Sequence, residues 1–117
     1  MVVEDDACVR ELVIEILRSK GFPTVSAGNG EEALHHLRRA DVQPTLILLD
    51  LMMPVMDGRQ FRAVQLSDPH LARIPVVVMS ASDDEEVLAE ARVGKPFEIE
   101  ALLDVVSRLA PASSTLH

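Results

Sequence analysis

The 117-residue chain has one cysteine, no tryptophan, no tyrosine and only three phenylalanines. A lone thiol, Cys8, excludes an internal disulfide and fits a reducing compartment. Basic residues are few: 11 Lys and Arg stand against 19 Asp and Glu, a net charge of -8. That balance argues against direct nucleic-acid binding and against an anionic membrane surface. No apolar run approaches the length of a membrane span, and the N-terminus lacks a basic-then-apolar leader. A cytoplasmic location is therefore expected. What the chain does have is apolar material, 48% of its residues, with 26% charged. This is enough for one domain with a real core, expected over residues 1–110, with residues 111–117 as a polar tail.

Short apolar runs alternate with amphipathic segments. Met1 to Val3 predicts a clipped first strand that gives way to Glu4, Asp5 and Asp6. Asp6 is placed to cap a helix carrying Val9, Leu12, Val13, Ile16 and Leu17 at helical spacing, stopped by Gly21. Phe22 to Ala27 predicts an edge strand, with Pro23 near its start. Asn29 then opens a second helix, with Glu32 at capping-box spacing and Ala33, Leu34 and Leu37 inward. A strand over Thr45 to Leu49 follows. Asp57-Gly58 starts a third helix to about Leu66, with Phe61, Val64 and Leu66 facing in. Ile74 to Met79 is a further strand ending on Ser80. Helical character is expected over Asp83 to Ala91 and again over Pro96 to Leu109.

Strands that are apolar without period-two alternation imply a parallel sheet covered on both faces. The flavodoxin-like order 2-1-3-4-5 is one of the two common solutions. It sets the carboxyl ends of the first and third strands side by side at a switch point. There Glu4 and Asp5 would meet Asp50, the carboxylate that ends the Thr45 strand, with Ser80 beside them. An isolated aspartate after a strand is more often a loop cap. Three clustered carboxylates, however, repel by roughly 1–4 kcal/mol per close pair, and folding alone would not select that. A hard divalent cation with oxygen ligands, Mg²⁺ above all, would relieve it. A phosphoryl group arriving at the cation could be contacted by the Ser80 hydroxyl and the Lys95 ammonium.

Four stretches carry a resemblance: Val2 to Asp6, Asp50 to Gly58 (DLMMPVMDG), Val77 to Ala81 (VVMSA), and Lys95-Pro96-Phe97. Together and in this order they resemble the receiver domains of two-component response regulators over nearly the whole chain. The resemblance implies that Asp50 accepts a phosphoryl group from a phosphohistidine on a histidine kinase or phosphotransfer protein. It implies Mg²⁺ held by Asp5, Asp50 and the backbone carbonyl of Met52, with Glu4 helping. Ser80 and Lys95 would contact the phosphorylated aspartate. The same resemblance implies a downstream protein partner, and an exposed sheet edge would favour a homodimer.

The chain departs from the family between Ser80 and Lys95, where only fourteen residues intervene. A helix and a fifth strand of ordinary length do not both fit. Three readings follow: a fourth helix cut to a turn with Ala91 to Gly94 as a stub strand, loss of the fifth strand, or a stretch between Val93 and Lys95 absent from the sequence. The last is favoured here, because losing the strand that positions the lysine would cost the core several kcal/mol. A further departure is that Arg92, or nothing, stands where the family often has an aromatic switch residue.

Other residues have plainer explanations. Cys8 reads as an idle thiol, and His35-His36 as a solvated face, since adjacent helical residues do not share a site. Met52 and Met53 read as apolar loop filler and Asp57 as a cap. The leading function is a phosphorylation-dependent switch rather than an enzyme. Its alternative is a receiver-like interaction module that no longer switches. A small phosphatase is weaker, because it would want an acid two residues after Asp50, where Met52 stands.

Overall fold

The computed structural model describes residues 1–39, 43–80, 89–94 and 98–109. The elements in order are β1 (Val2–Val3), α1 (Ala7–Ser19), β2 (Ser26–Ala27), α2 (Gly30–Arg39), β3 (Ile47–Asp50), α3 (Gly58–Ser67), β4 (Val76–Ser80), β5 (Ala91–Gly94) and α4 (Ile99–Leu109). The five strands form one sheet in the order β2-β1-β3-β4-β5, and every pairing is parallel. This is the flavodoxin-like doubly wound arrangement expected from the sequence.

Neighbouring residues of one strand bury on opposite sides, which explains the continuous apolar runs. Val3, Ile47, Leu49, Val76 and Val78 join α2 and α3 through Leu34, Leu37 and Phe61. Val2, Leu48, Val77, Met79 and Val93 face α1 and α4 through Val13, Leu17, Leu102 and Val106. Neither side is left to solvent, so alternation has no selective basis.

Helix starts follow side-chain capping. Asp6 Oδ1 accepts the Cys8 and Val9 backbone N–H groups at 2.9 and 3.2 Å. Asn29 Oδ1 accepts the Glu32 N–H at 2.8 Å. Asp57 and Gln60 form a reciprocal capping box at the start of α3.

Several sequence expectations are corrected. The Phe22 to Ala27 strand is reduced to Ser26–Ala27, because a ladder is no longer than its partner and β1 offers only two residues. In α1 the sheet meets Val13, Ile14 and Leu17, while Leu12 is half exposed. In α3 the buried set includes Arg62 and Gln65, and Leu66 lies outward. Ala91 is not the end of a helix but the first residue of β5. Residues 81–88, on which most of that expected helix falls, lie outside the described residues. The fifth strand is present, hydrogen-bonded to β4 along its length. Val93 and Gly94 are consecutive in that strand, paired with Met79 and Ser80. Of the three readings, loss of the fifth strand is excluded; the one-turn helix falls on residues 81–88 and the junction with Lys95 also lies outside the described residues. The last helix begins at Ile99 rather than Pro96.

Candidate functional site

Sheet register assembles the site. Val3 pairs with Leu49, so the next residues along the two strands, Glu4 and Asp50, arrive at one level of the rim. Asp50 pairs with Met79, which puts Ser80 one residue further out on the neighbouring strand. Ser80 in turn pairs with Gly94, the residue before Lys95. All these strands point the same way, so their carboxyl ends share one edge of the molecule, where doubly wound sheets place their ligands.

At that edge one carboxylate oxygen each from Glu4, Asp5 and Asp50 lies within 4.8 Å of the others. Glu4 is 1% exposed and Asp50 5%, whereas Asp5 reaches solvent. Burial of two acids is costly without compensating contacts. Some compensation is visible: Asp50 Oδ1 accepts the Met52 N–H at 3.2 Å, and Glu4 Oε2 accepts the Asp6 N–H at 3.2 Å. Arg10 stays close by, donating to the Glu4 backbone carbonyl at 2.8 Å. A mutually close, oxygen-only, acidic donor set is what a hard divalent cation requires. Glu4, Asp5 and Asp50 thus fit such an ion on geometry as well as on chemistry.

The turn after Asp50 is fixed from beneath by glycine. Gly58 donates its N–H to the Leu51 carbonyl at 3.1 Å. A Cβ there would lie 2.5 Å from the Asp50 carbonyl oxygen and 2.7 Å from Leu51 Cα, so only glycine lets α3 start this close to the acid. Val55, further along the turn, holds φ at +67° and is mostly exposed. That is a left-handed conformation in which a β-branched residue is strained. Met53 and Met56 pack against the core as filler. Met52 does not: it is 72% exposed, which corrects its reading as apolar loop filler.

Among the sequence-predicted residues, Glu4, Asp5 and Asp50 are brought together and Ser80 ends the adjacent strand, 8% exposed. Lys95 lies outside the described residues, as do Pro96 and Phe97. Arg92 is exposed on β5. His35 and His36 lie on the exposed side of α2, their ring centroids 6.1 Å apart. A cavity of about 930 Å³ opens among Phe22–Ser26, Gln43–Leu46 and α1, and it contains none of the predicted site residues. Unlike this cavity, the acid cluster gathers ionisable oxygens.

A polar network that the sequence did not announce lies at the amino end of β4, opposite the acid rim. Gln65, fully buried, donates through Nε2 to the Leu71 and Ile74 carbonyls at 2.9 and 3.0 Å. Arg62 donates to Gln65 Oε1 at 2.8 Å and lies 3.8 Å from the Glu90 carboxylate. Burial lowers the Arg62 pKa from its usual value, and Glu90 opposes that shift. The only sequence signal was a Gln where helical spacing demands an apolar residue.

Comparison with known proteins agrees with this geometry. The description "Response regulator receiver domain" matches residues 1–107. The regulatory protein AtoC of Escherichia coli is 36% identical over 92% of this chain, which spans only 24% of that relative. The sporulation initiation phosphotransferase F of Bacillus subtilis is 29% identical, with 97% of this chain and 94% of that protein aligned. Among solved structures, the signal receiver domain of a signal transduction histidine kinase from Syntrophus aciditrophicus superposes with a TM-score of 0.85 at 30% identity. That superposition covers 99% of this chain and 90% of the other. Among the described residues no helix is long and apolar enough to cross a membrane. The chain belongs to the response regulator receiver domain family.

Proposed function

We propose that this receiver domain is a phosphorylation-dependent switch whose acceptor is Asp50. The observation that carries the reading is the convergence of the Glu4, Asp5 and Asp50 oxygens within 4.8 Å, on the rim where Ser80 ends β4. Glu4, Asp5 and Asp50, with the Met52 carbonyl, would hold Mg²⁺, which when bound supplies positive charge against the phosphoryl oxygens. An Asp50 carboxylate oxygen attacks the phosphorus of a phosphohistidine. The O–P bond forms as the P–N bond breaks, and the electron pair leaves with the partner's imidazole. The Ser80 hydroxyl donates to a phosphoryl oxygen and the Lys95 ammonium pairs with another. Later attack by water on the phosphorus breaks the Asp50 O–P bond, releases inorganic phosphate and returns the free carboxylate, so the domain catalyses its own transfer and hydrolysis without being an enzyme for another substrate.

The donor is a sensor histidine kinase or phosphotransfer protein, and the setting is the cytoplasm. Residues 1–110 form the receiver unit and 111–117 its polar tail. Output passes to a downstream protein, or to a second copy of the chain, when the charge added at Asp50 changes the surface that partner reads. Direct nucleic-acid contact has no support in the acidic composition.

Beryllofluoride, which stands in for the phosphoryl group on a carboxylate, tests this reading. With Mg²⁺ it should raise the melting temperature of the wild type and leave Asp50→Asn unmoved. An equal rise in both proteins would remove Asp50 as acceptor.

A further inference from the structure

The turn between Asp50 and α3 is strained at one residue and fastened at the next. Met56 donates its backbone N–H to the Pro54 carbonyl at 2.7 Å. With Val55 at φ +67°, this closes a three-residue γ-turn of the rare, positive-φ kind. A β-branched residue stays in such a conformation only where its surroundings over-determine it. The fastening comes from α2. Gly30, the first residue of that helix, donates its N–H to the Met56 carbonyl at 3.0 Å. The approach is close: a Cβ on Gly30 would lie 2.8 Å from Met56 Cγ and 3.0 Å from the Met56 carbonyl oxygen. At the other end of the turn the Leu51 carbonyl accepts the Gly58 N–H at 3.1 Å. Met52 to Val55 therefore bridge two fixed points. Pro54 has its φ locked. Met53, which precedes it, is restricted to extended backbone and packs against the core. Most of the remaining freedom belongs to Met52 and Val55, so a change of φ at Val55 is taken up at Met52.

We propose that Gly30 is a positioning residue for the cation, acting on Met52 through the γ-turn at Val55. Met52 stands at the rim: its N–H donates to Asp50 Oδ1 at 3.2 Å, and its carbonyl is the proposed ligand beside Glu4, Asp5 and Asp50. The bond from Gly30 to Met56 keeps Val55 in a conformation that valine would otherwise leave. Without it the turn relaxes toward negative φ, Met52 swings, and both of its roles at the rim weaken. The start of α2 thus sets how completely the cation site is formed. Gly30 touches neither cation nor phosphoryl group; it acts through the turn. The inference rests on the proposed role of Met52 in holding the cation.

Calorimetric titration of the full chain with Mg²⁺ tests this, the chain having no tryptophan to report binding. Gly30→Pro removes the donor, and proline suits the first position of a helix. Its Mg²⁺ affinity is expected to fall about tenfold, which is about 1.4 kcal/mol and within the cost of a left-handed residue other than glycine. Val55→Gly adopts the same turn without strain, so alone it should bind Mg²⁺ as the wild type does. In the Val55→Gly background Gly30→Pro should cost little affinity, because glycine holds the turn unaided. Should Gly30→Pro lose its fold, as read by circular dichroism in EDTA, Gly30→Ala crowds Met56 through its Cβ and carries the same expectations. Wild-type Mg²⁺ affinity in the position-30 variant would overturn the proposal. So would a tenfold loss in Val55→Gly alone, or the same loss from Gly30→Pro with and without Val55→Gly. Absence of Mg²⁺ binding by the wild type would instead overturn the cation reading beneath it.

Discussion

Removing the charge at Asp50 should stabilise the metal-free protein. Glu4 and Asp50 are both buried, with carboxylate oxygens within 4.8 Å. At an effective dielectric of about 20 that pair repels by about 3 kcal/mol. Asp5 is exposed, so its repulsion of Asp50 is screened toward about 1 kcal/mol. Against this, Asp50 accepts the Met52 N–H at 3.2 Å, a bond with a net value of about 1 kcal/mol. Asparagine keeps an acceptor oxygen for that N–H; alanine loses it. Asp50→Asn should therefore gain up to about 4 kcal/mol in EDTA, and Asp50→Ala, which also loses the bond to Met52, should still be no less stable than wild type. For a domain of this size each kcal/mol moves the melting temperature by roughly 3–5 °C. Thermal denaturation followed by circular dichroism, at low ionic strength with EDTA, reads the shift directly. Saturating Mg²⁺ should narrow the difference, since an ion bound at 100 times its Kd adds about 2.7 kcal/mol to the wild type. A melting temperature for Asp50→Asn clearly below wild type in EDTA would refute the crowding argument.

Three other outcomes follow from the structure. Gly58→Ala should cost about 1–3 kcal/mol and weaken Mg²⁺ binding, because the new Cβ meets backbone atoms of Asp50 and Leu51; urea denaturation and a Mg²⁺ titration check both halves. Val55→Gly should add about 0.5–1 kcal/mol, as relief of a left-handed valine exceeds the entropy glycine adds to the unfolded chain; an unchanged urea midpoint would contradict it. In the 117-residue chain with a free amine at Met1, burial pushes that group down to about 5 from 8.0. The amine is then neutral in the folded state and protonated in the unfolded state between those values. Unfolding takes up a proton there, so the amine's contribution to stability should rise from pH 5 to pH 8 and level off above it. The rise should vanish on N-terminal acetylation.

The sheet was legible because its strands are buried on both faces, which leaves unbroken runs such as Ile47–Leu49 and Val76–Met79. The acid rim was legible too, since parallel order alone brings the end of the first strand beside the end of the third. Rotation of a helix was not. Periodicity gives the width of the α1 stripe but not which edge meets the sheet, hence Ile14 inside and Leu12 outside. The burial of Gln65 and Arg62 was not legible, because their partners, two loop carbonyls and Glu90, come together only in three dimensions. The bounds of the fifth strand, Ala91–Gly94, were among the sequence readings, but ARVG has too little apolar pattern to single that reading out.

The most direct test of the central claim is intact and peptide mass spectrometry after incubation with a small phosphodonor and Mg²⁺. The account predicts one added phosphoryl group, mapped to the peptide carrying Asp50, absent in Asp50→Asn and lost when EDTA replaces Mg²⁺. Phosphorylation of Asp50→Asn to the same extent as wild type, or labelling that ignores the metal, would contradict it.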